Sequence, residues 1–176
     1  MALTNHLNIN KQWTKPTVSE VFALIVKAAE RFELSDWREV HKIIGVSERT
    51  LRRWKSNIET EPLSLSSIPF TAYALLHSAA HGESYIQPLA GNNWKTIPKK
   101  YFYAPQHYTC PPKEILTQFV GLKSLTGQTR EQIGQNIGIA PKKLAEQINL
   151  GSVSWITWSL LLLYVGAPVN MVLNKQ

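Results

Sequence analysis

Apolar residues recur at three- and four-residue intervals along most of the chain, the period of helices that bury one stripe. Val18, Val21, Phe22, Ile25, Val26 and Ala29 predict a first helix, capped by Thr17 or Ser19 and running to about residues 30–32. Ser35 is placed to cap a second helix over 36–44, which Gly45 breaks, and Ser47 to cap a third, running to about residue 58. The polar stretch 59–67 reads as a loop, and a fourth helix over 69–80 has proline at its first turn and ends before Gly82.

Over 83–112 the pattern lapses. Pro88, Pro98, Pro105, Pro111 and Pro112 exclude long helices, and Tyr85, Trp94, Tyr101, Phe102, Tyr103 and Tyr108 alternate with Lys95, Lys99 and Lys100. A short hairpin is expected around Gly91, Asn92 and Asn93. Helical spacing resumes over 113–122, with Ile115, Leu116, Phe119 and Val120 on one face. A helix over 130–137 follows, where Thr129 and Gln132 have capping-box spacing. Gly138 interrupts, Pro141 opens a helix to about 149, and a last helix covers 154–165.

The two halves read as diverged copies. Residues 42–47 (KIIGVS) correspond to 135–140 (QNIGIA), Leu51 to Leu144 at the same 93-residue offset, and residues 73–76 (YALL) to 158–161 (WSLL) after a shorter loop. Two amphipathic segments can align by chance, but the shared glycine, its apolar flanks and the shared following helix favour duplication. The expected fold is all-α: an arm over 1–16, a first domain over 17–82, a Pro/aromatic-rich linker over 83–112 and a second domain over 113–176.

The strongest local signal is residues 37–54, WREVHKIIGVSERTLRRW. Gly45 sits where the chain turns sharply between two helices, so a positive φ costs little there. Val40, Ile44 and Val46 point inward around the turn, and Leu51 and Trp54, three apart, face the core. Ser47, Glu48, Arg49, Arg52 and Arg53 then share the outer face, with Lys55 and Ser56 beyond. The stretch resembles the helix-turn-helix of phage-repressor-like transcription regulators, closely over about 20 residues and loosely over about 65. The resemblance implies that the helix from Ser47 enters the major groove of double-stranded DNA, its basic residues reading guanine and gripping phosphate. Glu48 can accept from a cytosine amino group or simply favour the helix N-terminus by its charge. One departure is His41, a large residue where the family carries a small one; it either tilts the helix pair or lies at its edge.

The second copy keeps Gly138, Ile133, Ile137, Ile139 and Leu144, with Gly134 at the small-residue position. Its outer face offers Lys142 and Lys143 against Glu146, so it reads as a second DNA reader, a phosphate platform, or a copy retained for packing or dimerisation. Gln128 and Arg130, at the start of its first helix, are phosphate candidates. The linker aromatics could lie along DNA or staple the halves together; two small cores in a short chain favour the staple.

Composition narrows the reading further. The chain has 176 residues, 44% hydrophobic and 18% charged, an ordinary globular balance. The net charge of +7 favours polyanionic partners, although many small proteins are basic. The only cysteine, Cys110, excludes an internal disulfide and a Cys-based zinc site, and reads as a small apolar residue. The first fifteen residues lack the pattern of a signal peptide, and the protein is expected in the cytoplasm, associated with the nucleoid. No charged residue lies between Gly151 and Asn174, but polar residues dilute the run and its apolar core is too short for a membrane span, so it reads as a buried helix.

No phosphate loop, metal-ligand spacing or nucleophile elbow supports catalysis, and no cofactor is implied. The leading expectation is a sequence-specific regulator, a repressor of a mobile element such as a phage or plasmid. The alternatives are an architectural or accessory protein of recombination, replication or partition, and an interaction module that borrows the fold. A second copy of the chain is a candidate partner; a membrane is not.

Overall fold

The computed structural model describes residues 13–91, 93–102, 106 and 108–174. The fold is all-α: the described residues hold helices and one isolated antiparallel bridge, Thr17 to Leu65. Helix α1 spans Val18–Arg31, α2 Val40–Ile44, α3 Glu48–Trp54, α4 Phe70–His81, α5 Lys113–Thr117, α6 Arg130–Ile137, α7 Pro141–Leu150, α8 Trp155–Tyr164 and α9 Val169–Val172. Short 3-10 turns lie at Trp37–Glu39, Asn93–Thr96 and Lys99–Tyr101.

Helix α1 starts where Thr17 and Glu20 close a capping box, and it buries Val18, Val21, Ile25, Ala28 and Ala29 against α4. Its first amide groups are satisfied from the loop at 59–67. Val18 and Ser19 donate to the Ser64 and Pro62 carbonyls, and Ser66 donates to the Pro16 carbonyl. The buried Ser66 hydroxyl donates to the Trp54 carbonyl, so this polar loop ties the end of α3 to the start of α1.

Several boundaries differ from expectation. The second helix is split, because Asp36 rather than Ser35 caps its first turn, and that turn is 3-10 before α2 begins. Helix α3 stops at Trp54, four residues short of the expected end; the chain then turns, with Asn57 left-handed at φ 66°. The expected helix over 113–122 ends at Thr117, and the Ser124 and Thr126 hydroxyls supply donors to the Phe119 carbonyl just beyond it. Helix α9 was not expected at all.

One continuous core runs through both halves, from Val21 to Leu173. Helix α4 packs on α8, and α8 is almost wholly buried, so its lack of charge reflects a place at the centre of the molecule. No helix among the described residues is long and apolar enough to cross a membrane. The segment 83–112 contributes Ile86, Ile97, Tyr101 and Phe102 to that core, and the Trp158 indole donates to the Tyr101 carbonyl. Cys110 bridges the α7–α8 turn: its thiol donates to the Gly151 carbonyl and accepts from the Val153 amide. The expected arm over 1–16 is described only from Trp13, whose ring packs edge-on against Phe70. The expected hairpin around Gly91 does not form among the described residues, where Asn93 opens a 3-10 turn instead; Asn92 and Tyr103 lie outside them.

Candidate nucleic-acid interface

Two helix–glycine–helix units sit in the fold. In the first, Gly45 ends α2 in the left-handed region at φ 69°, and the Gly45 and Val46 amides both donate to the His41 carbonyl. In the second, Gly138 ends α6 at φ 73°, and the Gly138 and Ile139 amides both donate to the Gly134 carbonyl. The turns handle the position four residues before the glycine differently. A Cβ on Gly134 would lie 2.6 Å from the Ile139 carbonyl oxygen, closer than any side chain permits. His41 instead swings its half-buried ring over the turn, with Nδ1 3.2 Å from the Val46 carbonyl oxygen. The large residue thus lies at the edge of its helix pair.

Ser47 caps α3 by accepting from the Thr50 amide, and Leu51 and Trp54 are buried beneath the helix. That anchoring turns Arg49, Arg52 and Arg53 to solvent. Their surroundings differ. Arg52 pairs with Glu48 one turn back. Arg38 pairs with Asp36, whose carboxyl is held below its ordinary range by the Arg38 guanidinium and then by the Arg38 amide. Lys42 pairs with Glu39. Among the described residues, Arg49 and Arg53 have no ion pair or side-chain hydrogen bond; being four apart, they share one face of α3.

Lys55 lies elsewhere. Its ammonium sits 5.1 Å from the Phe22 ring centre and 4.9 Å from that of Trp37, rings that themselves meet edge-on. It therefore faces back toward α1. Ser56 is exposed, and its hydroxyl donates to the Arg53 carbonyl at the end of α3. A groove of about 570 Å³ beside α3 is lined by Arg38, Arg52, Lys55 and Ser56 among others.

In the second unit Thr129 forms the expected capping box with Gln132, and Leu144 and Ile148 anchor α7. Lys142 and Lys143 are exposed without an acidic partner among the described residues. Gln128 is committed to the interior: its Oε1 accepts from the Tyr164 hydroxyl at 2.6 Å and from the Asn136 amide at 3.2 Å. Arg130 is half-buried, with one guanidinium nitrogen 3.4 Å from Asn149 Oδ1.

Sequence reasoning missed the contacts that join the units. A methyl group added to Gly45 would overlap the Trp155 indole at the start of α8, and one added to Gly138 would overlap the Phe70 ring at the start of α4. Phe70 and Trp155 occupy matching places, since each opens the helix that follows its own unit. No group of three or more potential metal ligands lies among the described residues. Comparison with family models, curated proteins and solved structures finds no match to this chain.

Proposed function

We propose that the chain binds double-stranded DNA by laying α3 in the major groove, and that it acts as a sequence-specific regulator of transcription, with repression of a mobile element as the leading setting. The observation that carries this reading is the pair Arg49 and Arg53. Two guanidinium groups project from one helix face, free of acids, in a unit where three neighbouring cations are each matched by a carboxylate. Guanidinium forks suit both the guanine edge and phosphate, and a helix held from beneath by Leu51 and Trp54 presents them rigidly. The halves are read as a tandem duplication, with α7 as the second, more weakly charged head. Gln128 and Lys55 drop out of the proposed contact set because their polar ends are engaged elsewhere.

The test is fluorescence anisotropy on random-sequence duplexes across a salt series, comparing wild type with Arg49→Ala/Arg53→Ala. Wild-type affinity should fall steeply with salt, and the variant should bind more weakly with a slope shallower by about 1–2, at unchanged melting temperature. Absence of binding at low salt overturns the reading.

A further inference from the structure

We infer that one chain occupies a bipartite duplex site made of two inverted and unequal half-sites, an inference that rests on the DNA reading above. Two observations carry it, the manner in which the halves meet and the difference between their outer faces.

The meeting is reciprocal. The turn glycine of the first unit receives the ring that opens the helix of the second half, and the turn glycine of the second receives the ring that opens the helix of the first. Between these contacts α4 packs on α8, the matching helices. An arrangement in which i meets j and j meets i is the mark of a two-fold relation. A head-to-tail arrangement would bury one glycine under a ring and leave the other facing away. The order of the copies along the chain suggests a direct repeat in the DNA, but the packing points the other way. Heads related by a two-fold axis match the local two-fold axes of a duplex and read half-sites in opposite orientations.

The outer faces are unequal. At the 93-residue offset Arg49 corresponds to Lys142, Thr50 to Lys143, Arg52 to Ala145 and Arg53 to Glu146. The first head offers forked donors that can engage a guanine edge by two bonds. The second offers two ammonium groups, which act on phosphate as point charges, and a carboxylate where the first has an arginine. The α3 half-site therefore carries most of the sequence requirement, and the α7 half-site contributes salt-sensitive affinity over many sequences. Because both heads stand on one core, the chain needs no second copy to occupy the site.

The experiment starts by selecting a site from random duplexes with the full chain, then footprinting it at one chain per duplex. Protection should cover two groove segments on one face of the DNA. Base-pair changes in one segment should cost about tenfold or more each, and in the other far less. Lys142→Ala/Lys143→Ala should weaken binding to all sequences alike and reduce the salt slope. A further variant grafts the α3 face onto α7 by Lys142→Arg, Lys143→Thr, Ala145→Arg and Glu146→Arg, with folding checked by thermal melting. It should prefer inverted over direct repeats of the α3 half-site, across a scan of spacings, by about tenfold or more. A preference for direct repeats, a single protected segment, or two chains per site overturns the inference while leaving the DNA reading standing. Failure to bind any duplex overturns that reading itself. If the full graft does not fold, Lys142→Arg/Glu146→Arg, which changes two exposed positions of α7 only, is put through the same inverted-against-direct comparison with the same two outcomes.

Discussion

The Trp155 indole lies against the bare Cα of Gly45, filling the space that a side chain there would need. Glycine at this position thus meets two demands, a left-handed backbone and room for a ring from the other half. Gly45→Ala should cost the left-handed penalty of about 1–2 kcal/mol and, in addition, the displacement of the ring. Gly138→Ala should behave alike through Phe70. Gly127, left-handed at φ 64° with open space where its Cβ would project, is the control: Gly127→Ala should show the backbone penalty alone. Urea unfolding of the three variants checks this, and equal losses in all three would remove the ring contacts from the account.

Gln128, half-buried, is bonded to Tyr164 and Asn136, so its removal should be read in stability. Gln128→Ala would leave the Tyr164 hydroxyl proton without its acceptor, while the Asn136 amide keeps its bond to the Tyr164 oxygen. A loss of about 1–2 kcal/mol in stability is expected, with DNA affinity unchanged below the melting transition. Lowered affinity at full stability would return Gln128 to the DNA contacts.

Glu48 shields Arg52 across one turn of α3. Glu48→Gln should release that guanidinium, tighten DNA binding and steepen its salt dependence, with little effect on folding because exposed pairs contribute only about 0–1 kcal/mol. If affinity falls instead, Glu48 is itself reading a base.

The stability of the protein should depend on pH through His77. Its ring stacks on His81 at 4.2 Å between centres, within a cluster that includes Tyr73 and Tyr85, and Lys27 lies beside His81. Burial first, then the charges of His81 and Lys27, push the imidazole from 6.5 down to about 4. In the folded state the group binds its proton later than in the unfolded chain, so the unfolded state is favoured as protons bind. Stability is intact above pH 6.5 and drains as pH falls from there toward 4. Melting of wild type and His77→Phe at about pH 7.5 and about pH 5 should show a smaller loss in the variant, and parallel losses would sink the assignment.

The helices were legible because their signals are local. Thr17, Ser47 and Thr129 cap as their spacing predicts, and Gly45, Gly82, Gly138 and Gly151 end helices in the left-handed region. The ion pairs that neutralise Arg52 and Lys42 could also be foreseen, since Glu48 and Glu39 lie four and three residues away. What could not be foreseen depends on distant chain. Lys55 turns away because α1 brings Phe22 beside Trp37, and Gln128 is claimed by Tyr164, 36 residues on. The apolar stripe over 113–122 predicted a longer helix than forms, because stripes report burial, and Phe119 is buried without continuing α5. The role of 83–112 was only half visible: its aromatics marked a staple, but not that Ile97 and Tyr101 would sit in a core common to both halves.

That common core has a consequence for dosage. Two-headed proteins assembled from separate subunits fall apart on dilution, so their occupancy rises with a power of concentration, and their stability depends on how much protein is present. On the proposed reading Trp155 and Phe70 join two DNA-binding heads within one polypeptide, so folding and assembly would be a single event. Occupancy should therefore track the amount of chain in simple proportion at low levels. A change in the outer face of α3 would also alter one head alone, where the gene for a homodimer alters both at once.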